Sequence, residues 1–352
     1  MKAVVLGEDM ASVALSEVEE PELQDAHDAL VRVRRAAICG SDLHVIHGRT
    51  PGVMPGSSLG HEFTGVVEAV GDEVLAVRPG DRVVGAFLIP CGSCEACART
   101  EYAACEDQMT PGSGMFMGDL GGAQAERLRV PNADVALLRI PDALADERAL
   151  FVGDILTTAY YANRLGGVTS GSTVAVQGAG PVGLLALQVA RALGAARLVA
   201  VDLDAPRLEK AATLGADCID VTRSNPGVAI ERLLGSGADV VLDTVGGAPK
   251  ALVQTLDLVR AGGTIAVVGL YTDPEVALPL VDTFMRRLTI RFGGLCPVAV
   301  YWRDALELVE RGAVEPTDII THRMPLDDAV EGYDLFERRE ALKVVLEISD
   351  GG

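Results

Sequence analysis

The chain has 352 residues, of which 49% are hydrophobic, so it is long enough for two domains with separate cores and too apolar for a disordered protein. Its formal net charge of −20 at pH 7 excludes nucleic acid and anionic membrane surfaces as expected partners, because both bind basic patches. We predict a cytoplasmic protein, because the first residues lack the apolar segment of a signal peptide and no apolar run is long enough to span a bilayer.

The first 150 residues predict a β-rich domain, in which short apolar segments such as 29–33, 64–70 and 81–85 are separated by turn residues. Two residues of this region combine the ligand types that suit zinc. Cys39 follows a strand-like segment, and His61 follows a loop rich in Gly and Pro. Either residue alone is more often a core or surface residue than a ligand, so the pair becomes a candidate site only together with the rest of the chain.

Four cysteines lie within fifteen residues, at Cys91, Cys94, Cys97 and Cys105, with the spacing C-x2-C-x2-C-x7-C. Loops of two residues let neighbouring thiolates reach one metal ion, and four thiolates complete a tetrahedral zinc site. Such a site has no open position, so we predict that this zinc holds a loop and does no chemistry. The alternative is a pair of disulfides, which the reducing conditions expected for this chain disfavour.

From residue 172 the chain alternates apolar strands with amphipathic helices, which predicts βαβ units and a parallel sheet covered on both faces. The segments are strand-like at 173–177, 198–202, 240–243 and 264–269, and helix-like at 182–193 and 205–214. Beyond residue 291 the pattern becomes mixed, and 343–348 is again strand-like. We therefore predict an α/β protein in which a doubly wound parallel sheet is inserted into the β-rich domain.

The first turn of this parallel domain carries a candidate phosphate site, Gly178-Ala179-Gly180-Pro181-Val182-Gly183. Gly178 permits the tight turn, Gly180 lets the backbone approach a pyrophosphate, and Gly183 lets the helix pack closely on the strand. The N-terminus of the following helix then presents free N–H groups to the phosphates. The alternative is a glycine-rich strand–helix corner that binds nothing.

The next strand ends at Asp202, nineteen residues beyond Gly183. A carboxylate at this position can accept hydrogen bonds from an adenosine ribose and would repel a 2′-phosphate, which favours NAD over NADP. Arg207 lies nearby in the sequence and weakens that preference, because a guanidinium binds phosphate well. The alternative for Asp202 is a cap of the following helix.

The motifs together resemble the zinc-containing, medium-chain alcohol dehydrogenases, nearly from end to end. The resemblance rests on residues 39–44, 60–62 and 154–158, on the cysteine quartet, and on the glycine turn with Asp202. It implies a Rossmann-type sheet inserted into a GroES-like catalytic domain. The implied boundaries are 1–153 for the catalytic domain with two zinc sites, 154–292 for the dinucleotide-binding domain, and 293–352 for the return to the catalytic domain.

The same resemblance implies roles for individual residues near a catalytic zinc. Cys39, His61 and Asp154 match its ligands, and Glu62 matches a carboxylate beside the metal that can approach it. Whether Asp154 or Glu62 binds the metal in each state stays open. Asp42 matches a group that orients the ring of His61.

Further matches concern proton transfer, the cofactor and the substrate. Ser41 and His44 match a proton relay. The wall around the nicotinamide ring is matched by Thr158, Val268, Gly269 and Leu270, and the substrate pocket by Phe87 and Leu270. The resemblance thus implies two Zn2+ per chain, one catalytic and one structural, together with NAD, and with NADP less favoured.

The implied reaction is hydride transfer between an alcohol, or its aldehyde or ketone, and the nicotinamide, with Zn2+ stabilising the alkoxide. A formaldehyde-type dehydrogenase or dismutase and a polyol dehydrogenase are alternatives, because loops that the sequence does not place determine the substrate. A non-enzymatic zinc- and NAD-binding protein is a further alternative, but it would not need Ser41 and His44. The strand-like segment 288–292 predicts an exposed sheet edge, and we expect a homodimer or homotetramer.

Overall fold

The computed structural model describes residues 1–247, 249–271 and 275–349, with only the backbone of Phe116. The strands, numbered in chain order, are β1 (Lys2–Leu6), β2 (Val13–Glu17), β3 (Ala29–Ile38), β4 (Glu62–Val70), β5 (Arg82–Gly85), β6 (Arg127–Val130), β7 (Leu137–Arg139), β8 (Thr173–Gln177), β9 (Arg197–Asp202), β10 (Asp217–Asp220), β11 (Ala238–Asp243), β12 (Val259–Val267), β13 (Thr289–Phe292), β14 (His322–Pro325) and β15 (Val344–Glu347).

The helices, numbered in the same way, are α1 (Gly40–Ile46), α2 (Glu95–Ala98), α3 (Ala133–Ala136), α4 (Asp146–Ala149), α5 (Ile155–Gly166), α6 (Pro181–Ala192), α7 (Ala205–Thr213), α8 (Pro226–Leu234), α9 (Pro249–Leu258), α10 (Leu280–Met285), α11 (Val298–Glu310) and α12 (Ala329–Glu337). Short 3-10 helices lie at Tyr102–Ala104, Gly114–Met117, Leu150–Gly153, Pro316–Ile319 and Leu326–Asp328. Within the described residues, none of the helices combines the length and apolar character needed to cross a membrane.

The chain divides into two compact units. The first contains residues 1–154, 297–306 and 316–352, and the second contains residues 155–296 and 307–315. The first unit is built on a seven-stranded sheet in the order β14-β15-β3-β4-β5-β7, with β6 also paired to β3. β15 and β4 both run antiparallel to β3, and β5 runs antiparallel to β4. Consequently the last residues of β3 and the first residues of β4 and β15 lie side by side at one end of this sheet.

The second unit contains a six-stranded, fully parallel sheet in the order β10-β9-β8-β11-β12-β13. The middle residues of its central strands are apolar, Val174–Val176 in β8 and Val240–Leu242 in β11, as expected for strands buried on both faces. The sheet order reverses at β8, and in such sheets ligands bind at the carboxyl ends of the strands beside this reversal. β13 is the terminal strand, as the segment 288–292 predicted.

The predicted fold class is confirmed: a doubly wound parallel sheet is inserted in the sequence of a β-rich unit. The predicted helices at 182–193 and 205–214 correspond to α6 and α7. The predicted strand at 264–269 ends two residues earlier, at Val267, because the backbone N–H groups of Val268 and Gly269 both donate to the carbonyl of Asp243. This turn replaces the sheet ladder at the carboxyl end of β12.

Candidate functional site

Strand topology brings the candidate metal residues to one end of the seven-stranded sheet. Cys39 follows the last residue of β3, and His61 directly precedes β4, whose first residue Glu62 pairs with Ala37 of β3. Asp154 follows the 3-10 helix Leu150–Gly153 as its C-cap residue. Gly153 is fixed over the end of β5, because its carbonyl accepts the N–H of Phe87 at 3.0 Å. A Cβ on Gly153 would lie 2.0 Å from the carbonyl oxygen of Gly85, so only glycine permits this approach.

The side chains of Cys39, His61, Glu62 and Asp154 converge, each with one ligand atom within 4.8 Å of the others. The Sγ of Cys39 is 3.7 Å from Oδ2 of Asp154, and Nε2 of His61 is 3.4 Å from the same oxygen. Tetrahedral zinc with its usual bond lengths places such ligand atoms ~3.3–3.8 Å apart. The thiolate, imidazole and carboxylate therefore fit a zinc ion in chemistry and in spacing.

Asp42 and Ser41 lie beside these four residues. Oδ1 of Asp42 is 3.3 Å from Nδ1 of His61, which leaves Nε2 of the ring directed at the other candidate ligands. The hydroxyl of Ser41 is 3.2 Å from Sγ of Cys39 and 3.1 Å from Nε2 of His61. The ring of Phe87 meets the imidazole of His61 edge-on, with 6.2 Å between centroids. All these residues belong to the first unit.

His44 lies on α1 three residues after Ser41, so both side chains occupy one face of this helix. Its Nδ1 is buried without a hydrogen-bond partner among the described residues. Burial, with a smaller effect from the charge of Arg49, lowers the pKa of His44 below its ordinary value. The imidazole is therefore neutral at pH 7 and able to accept a proton.

Glu62 forms a fully buried ion pair with Lys343, the residue that precedes β15. The Nζ of Lys343 is 2.8 Å from the carboxylate of Glu62 and donates a 2.9 Å hydrogen bond to the carbonyl of Ile38. It also lies 5.6 Å from the centroid of the Phe151 ring. The side chains of Lys343 and Glu62 are 1% and 0% exposed, so each charge depends on the other for compensation.

The pKa values in this cluster reflect burial among mutually close charges. Burial raises the pKa of Glu62 to about 7, although the charge of Lys343 opposes this rise. Burial lowers the pKa of His61, but the negative charge of Asp42 and the hydrogen bond with Asp154 outweigh it and raise the pKa above its ordinary value. Burial also raises the pKa of the Cys39 thiol. Burial thus opposes ionisation of two acids, Glu62 and Cys39, and a divalent cation bound beside them would stabilise their ionised forms.

The cysteine quartet forms a second candidate metal site, with its four sulfurs within 4.8 Å of one another. Sγ of Cys97 is 3.9 Å from that of Cys91 and 3.5 Å from that of Cys94, close to the ~3.8 Å edge of a tetrahedral ZnS4 group. A disulfide needs about 2.05 Å, and all seven cysteines are free thiols here. The structure therefore contradicts the disulfide alternative. Burial and the neighbouring Cys94 raise the pKa of Cys97 to about 12.

The glycine turn of the second unit has the geometry of a phosphate-binding loop. Gly178 adopts a φ of +94°, and a Cβ on Gly183 would lie 1.8 Å from the carbonyl oxygen of Gly178. α6 begins at Pro181, and its N-cap residue Gly180 has no side chain to occupy the helix terminus. The first-turn N–H groups, beginning at Val182, therefore point at a space that an anion can fill.

Asp202 ends β9 beside this turn. Its Oδ2 accepts the N–H of Ala179 at 2.5 Å, and its Oδ1 accepts those of Leu203 at 2.7 Å and Asp204 at 3.0 Å. The helix-cap alternative is wrong, because Asp204 caps α7 by accepting the N–H of Arg207. A guanidinium nitrogen of Arg207 lies 3.8 Å from the place of a Cβ on Gly180, so Arg207 does border the turn.

Comparison with known proteins gives the family. Residues 25–142 match the model of the alcohol dehydrogenase GroES-like domain, and residues 181–311 match that of the zinc-binding dehydrogenase. An uncharacterised zinc-type alcohol dehydrogenase-like protein, AdhB of Bacillus subtilis strain 168, is 35% identical over 98% of this chain and 100% of its own length. This chain belongs to the zinc-containing medium-chain alcohol dehydrogenase family. The glutathione-independent formaldehyde dehydrogenase of the same organism is 33% identical over 91% of this chain and 87% of its own.

Solved structures of this dehydrogenase family agree with the fold. The alcohol dehydrogenase TADH from Thermus sp. ATN1 is 46% identical, with a TM-score of 0.95 over 99% of this chain and 100% of that one. A zinc-binding dehydrogenase from Sinorhizobium meliloti 1021, solved with NADP bound, is 30% identical, with a TM-score of 0.86 over 98% of both chains. The family is one of oxidoreductases, so the non-enzymatic alternative is set aside.

The residues predicted to surround the nicotinamide belong to the second unit of the dehydrogenase. Thr158 lies on α5, which packs on β12, and Val268–Leu270 follow β12 directly. A cavity of about 380 Å3 opens at this segment and is lined by residues that include Val268, Gly269, Leu270, Tyr271, Phe292 and Leu295. Leu270 is 49% exposed. The nicotinamide and substrate roles of these residues stay predictions.

Sequence reasoning missed three buried residues of the dehydrogenase: Lys343, Gln124 and Tyr333. One signal was available for Lys343, because it is one of only four lysines in the chain and it begins an apolar strand segment, Val344-Val345-Leu346. No local signal marked Gln124 or Tyr333. Their contacts with the site depend on pairing across the whole chain.

We predict that Cys97→Ser will remove one zinc per chain and destabilise the dehydrogenase. The substitution leaves three crowded thiols without the metal that would stabilise their ionised forms. Activity per folded, zinc-loaded molecule should stay within about twofold of wild type, because the quartet has no open position for substrate. Zinc analysis, thermal unfolding and active-site titration measure these quantities. Cys218→Ser, at an exposed cysteine outside both clusters, is the control. Unchanged zinc content in Cys97→Ser would rule out the quartet as a zinc site.

Proposed function

We propose that this protein is an NAD-dependent alcohol dehydrogenase with a catalytic zinc at Cys39, His61 and Asp154 and a structural zinc at the cysteine quartet. The observation that carries the proposal is the buried convergence of a thiolate, an imidazole and a carboxylate in a chain of this family. When bound there, zinc supplies a Lewis acid that stabilises negative charge on the substrate oxygen. A bound nicotinamide cofactor would supply the hydride acceptor or donor.

Residues of the chain would hold the metal ligands in position and carry away the proton that the alcohol loses. Asp42 holds the His61 ring by its Nδ1, so that Nε2 stays directed at the metal position. Ser41, whose hydroxyl lies 3.2 Å from Sγ of Cys39, is placed to accept the proton that an alcohol loses. His44, neutral at pH 7 and on the same face of α1, is placed to pass that proton on. Phe87 covers the apolar side of His61.

The decisive test is a panel of alcohols, diols, formaldehyde and larger aldehydes with NAD(H) and NADP(H), followed by nicotinamide absorbance on protein of known zinc content. We expect turnover of an alcohol–carbonyl pair that is lost when zinc is removed from Cys39 and His61. Formaldehyde as the preferred substrate would favour the formaldehyde-dehydrogenase alternative. No turnover of any alcohol or carbonyl by protein with both zinc sites filled would overturn the proposal.

Asp202 supports NAD as the cofactor, because its carboxylate stands at the end of β9 beside the phosphate turn. We predict that Asp202→Ser will lower kcat/KM for NAD about tenfold, because a hydrogen bond to the adenosine ribose is lost. The ratio of kcat/KM for NAD to that for NADP should fall about a hundredfold, because the carboxylate no longer repels the 2′-phosphate. Arg207 would then face the 2′-phosphate, so the double variant Asp202→Ser/Arg207→Ala should lose the gain for NADP. Asp204→Ser, which removes the neighbouring carboxylate at the N-cap of α7, is the control. An unchanged NAD to NADP ratio would contradict the role of Asp202.

We also propose that β13 and α10 form the contact between two copies of the chain. β13 is the terminal strand of its sheet and offers unpaired backbone groups. Five apolar side chains here are each at least 64% exposed: Leu280, Val281, Phe284, Met285 and Phe292. A two-fold axis at this edge would continue the sheet and cover these side chains. Phe284→Asp should dissociate the oligomer in analytical ultracentrifugation, whereas Leu75→Asp, at an exposed leucine of the first unit, should not. A monomeric wild type would refute this contact.

A further inference from the structure

The carboxylate of Asp42 is held by more donors than orientation of His61 alone requires. While Oδ1 faces His61, Oδ2 is approached by the N–H of Cys39 at 2.9 Å, the hydroxyl of Tyr333 at 3.2 Å and Nε2 of Gln124 at 3.3 Å. Asp42 is only 3% exposed, so these donors replace the water that a carboxylate would otherwise bind. The hydrogen bond from the N–H of Cys39 is local, because Cys39 is the N-cap residue of α1, whereas Gln124 and Tyr333 come from distant parts of the chain.

Gln124 and Tyr333 complete each other's hydrogen bonds. The hydroxyl of Tyr333 has one proton, which it shares between Oε1 of Gln124 at 2.9 Å and Oδ2 of Asp42 at 3.2 Å, and Nε2 of Gln124 donates at 3.2 Å to the carbonyl of Ala37. The amide can therefore adopt one orientation only, with its oxygen toward the hydroxyl and its nitrogen toward two acceptors. Both residues are buried, Gln124 completely. Burial and the negative charge of Asp42 raise the pKa of Tyr333 well above its ordinary value, so its hydroxyl remains a donor.

Gln124 also fixes the backbone that carries His61. The N–H of Gln124 donates to the carbonyl of Leu59 at 2.9 Å, and that of Ala123 donates to the carbonyl of Gly60 at 2.8 Å. Gly60 has a φ of +89°, and a Cβ there would lie 2.4 Å from Cγ of Gln124. The side chain of Gln124 thus packs against the residue before His61 while its amide holds Asp42, the partner of His61.

We propose that Gln124 and Tyr333 are positioning residues that hold Asp42 and His61 in the geometry in which His61 binds the catalytic metal. The inference deepens the proposed function and rests on its assignment of His61 as a zinc ligand. Asp42 with fewer donors would turn toward other partners, and the His61 ring would then be free to rotate or to present its other nitrogen. Partners that orient a metal-binding histidine typically contribute 10–100-fold to metal affinity.

The test compares Tyr333→Phe, Gln124→Met and their double variant in full-length protein with the quartet zinc in place. Affinity for Zn2+ at the catalytic site is measured by competition with a chelator, and Co2+ bound at that site gives a d–d absorption spectrum that reports ligand geometry. We expect each single variant to bind zinc about tenfold more weakly and to alter the Co2+ spectrum. The double variant should lose less than the product of the two single effects, because both residues act through Asp42.

Two matched control variants distinguish a loss of zinc affinity caused by misplaced ligands from one caused by lower folding stability. Gln188→Met removes a buried glutamine that bonds Glu315 in the second unit, and Tyr160→Phe removes the hydroxyl of a buried tyrosine there. All variants are expected to lower the unfolding temperature, but only those at Gln124 and Tyr333 should weaken metal binding. Zinc affinity within twofold of wild type in both of those variants would overturn the proposal, whatever their stability. Because the readout is metal binding, absence of alcohol turnover in wild type would refute the proposed function without deciding this one.

Discussion

Replacing His61 with alanine should remove one zinc per chain and lower kcat/KM about a thousandfold. The imidazole is the one neutral ligand of the proposed site, and the two remaining ligands, Cys39 and Asp154, do not hold zinc firmly on their own. Loss of the Lewis acid removes several kcal/mol of charge stabilisation at the substrate oxygen, and about 4 kcal/mol corresponds to a thousandfold in rate. Metal analysis by mass spectrometry and steady-state kinetics measure the two effects.

His47→Ala is the matched control for that experiment. His47 follows α1, is exposed, and bonds Glu337 at 3.1 Å away from the candidate metal residues. Its removal should leave zinc content and activity within about twofold of wild type. If His61→Ala retained two zinc ions and normal turnover, the candidate site would not be the catalytic one. Cys97→Ser should lose the other zinc, so the two variants together assign both ions.

Replacing Lys343 with methionine should destabilise the metal-free protein by about 3–5 kcal/mol at pH 8, because the Glu62 carboxylate then lacks its buried partner. Lys343 is the strongest influence that lowers the pKa of Glu62, which is about 7 with the lysine present, so the variant's Glu62 titrates at higher pH. An acid whose pKa is raised by folding loses stability as pH rises from its unfolded value to its folded one. The difference from wild type should therefore grow from pH 6 to pH 8.

Urea unfolding of chelator-treated protein at both pH values measures this effect. The double variant Lys343→Met/Glu62→Gln should recover most of the loss, because no unpaired charge remains. Lys250→Met, at an exposed lysine on α9, should change stability by no more than about 0.5 kcal/mol. A Lys343→Met protein as stable as wild type at pH 8 would show that Glu62 needs no cationic partner.

Lys343 also affects the open question of which carboxylate binds the metal. Lys343 bonds Glu62, while Asp154 lies against His61 and Cys39. This arrangement favours Asp154 as the ligand and leaves Glu62 paired with the lysine. In Lys343→Met the unpaired Glu62 becomes a competitor for the metal, which a changed Co2+ spectrum would reveal.

Local patterns in the sequence were sufficient to predict the parallel sheet, the glycine turn and the cysteine quartet. Each of these depends on residues close together in the chain: a βαβ period, one strand–turn–helix corner, or a fifteen-residue loop. In the candidate catalytic cluster, Cys39 and His61 were recognised from their residue types, but Asp154 was reached only through resemblance to a family, since it stands 93 residues beyond His61 and no periodicity joins them. The resemblance did not identify Lys343, Gln124 or Tyr333, because a single polar residue gives no sign of its partner until distant segments of the chain have folded together.

The two candidate metal sites differ greatly in how much of the chain they need. The quartet spans residues 91–105, whereas Glu62 and Lys343 are 281 residues apart in the chain and pair only when β15 joins β3. A quartet that binds zinc, as proposed, would be complete while the ribosome is still translating the second unit. The four side chains of the candidate catalytic cluster lie within residues 39–154, but Lys343, which compensates the charge of Glu62, is added only when nearly the whole polypeptide has emerged. The proposed quartet zinc would therefore bind to a truncated or stalled chain in which Glu62 still lacks its cationic partner.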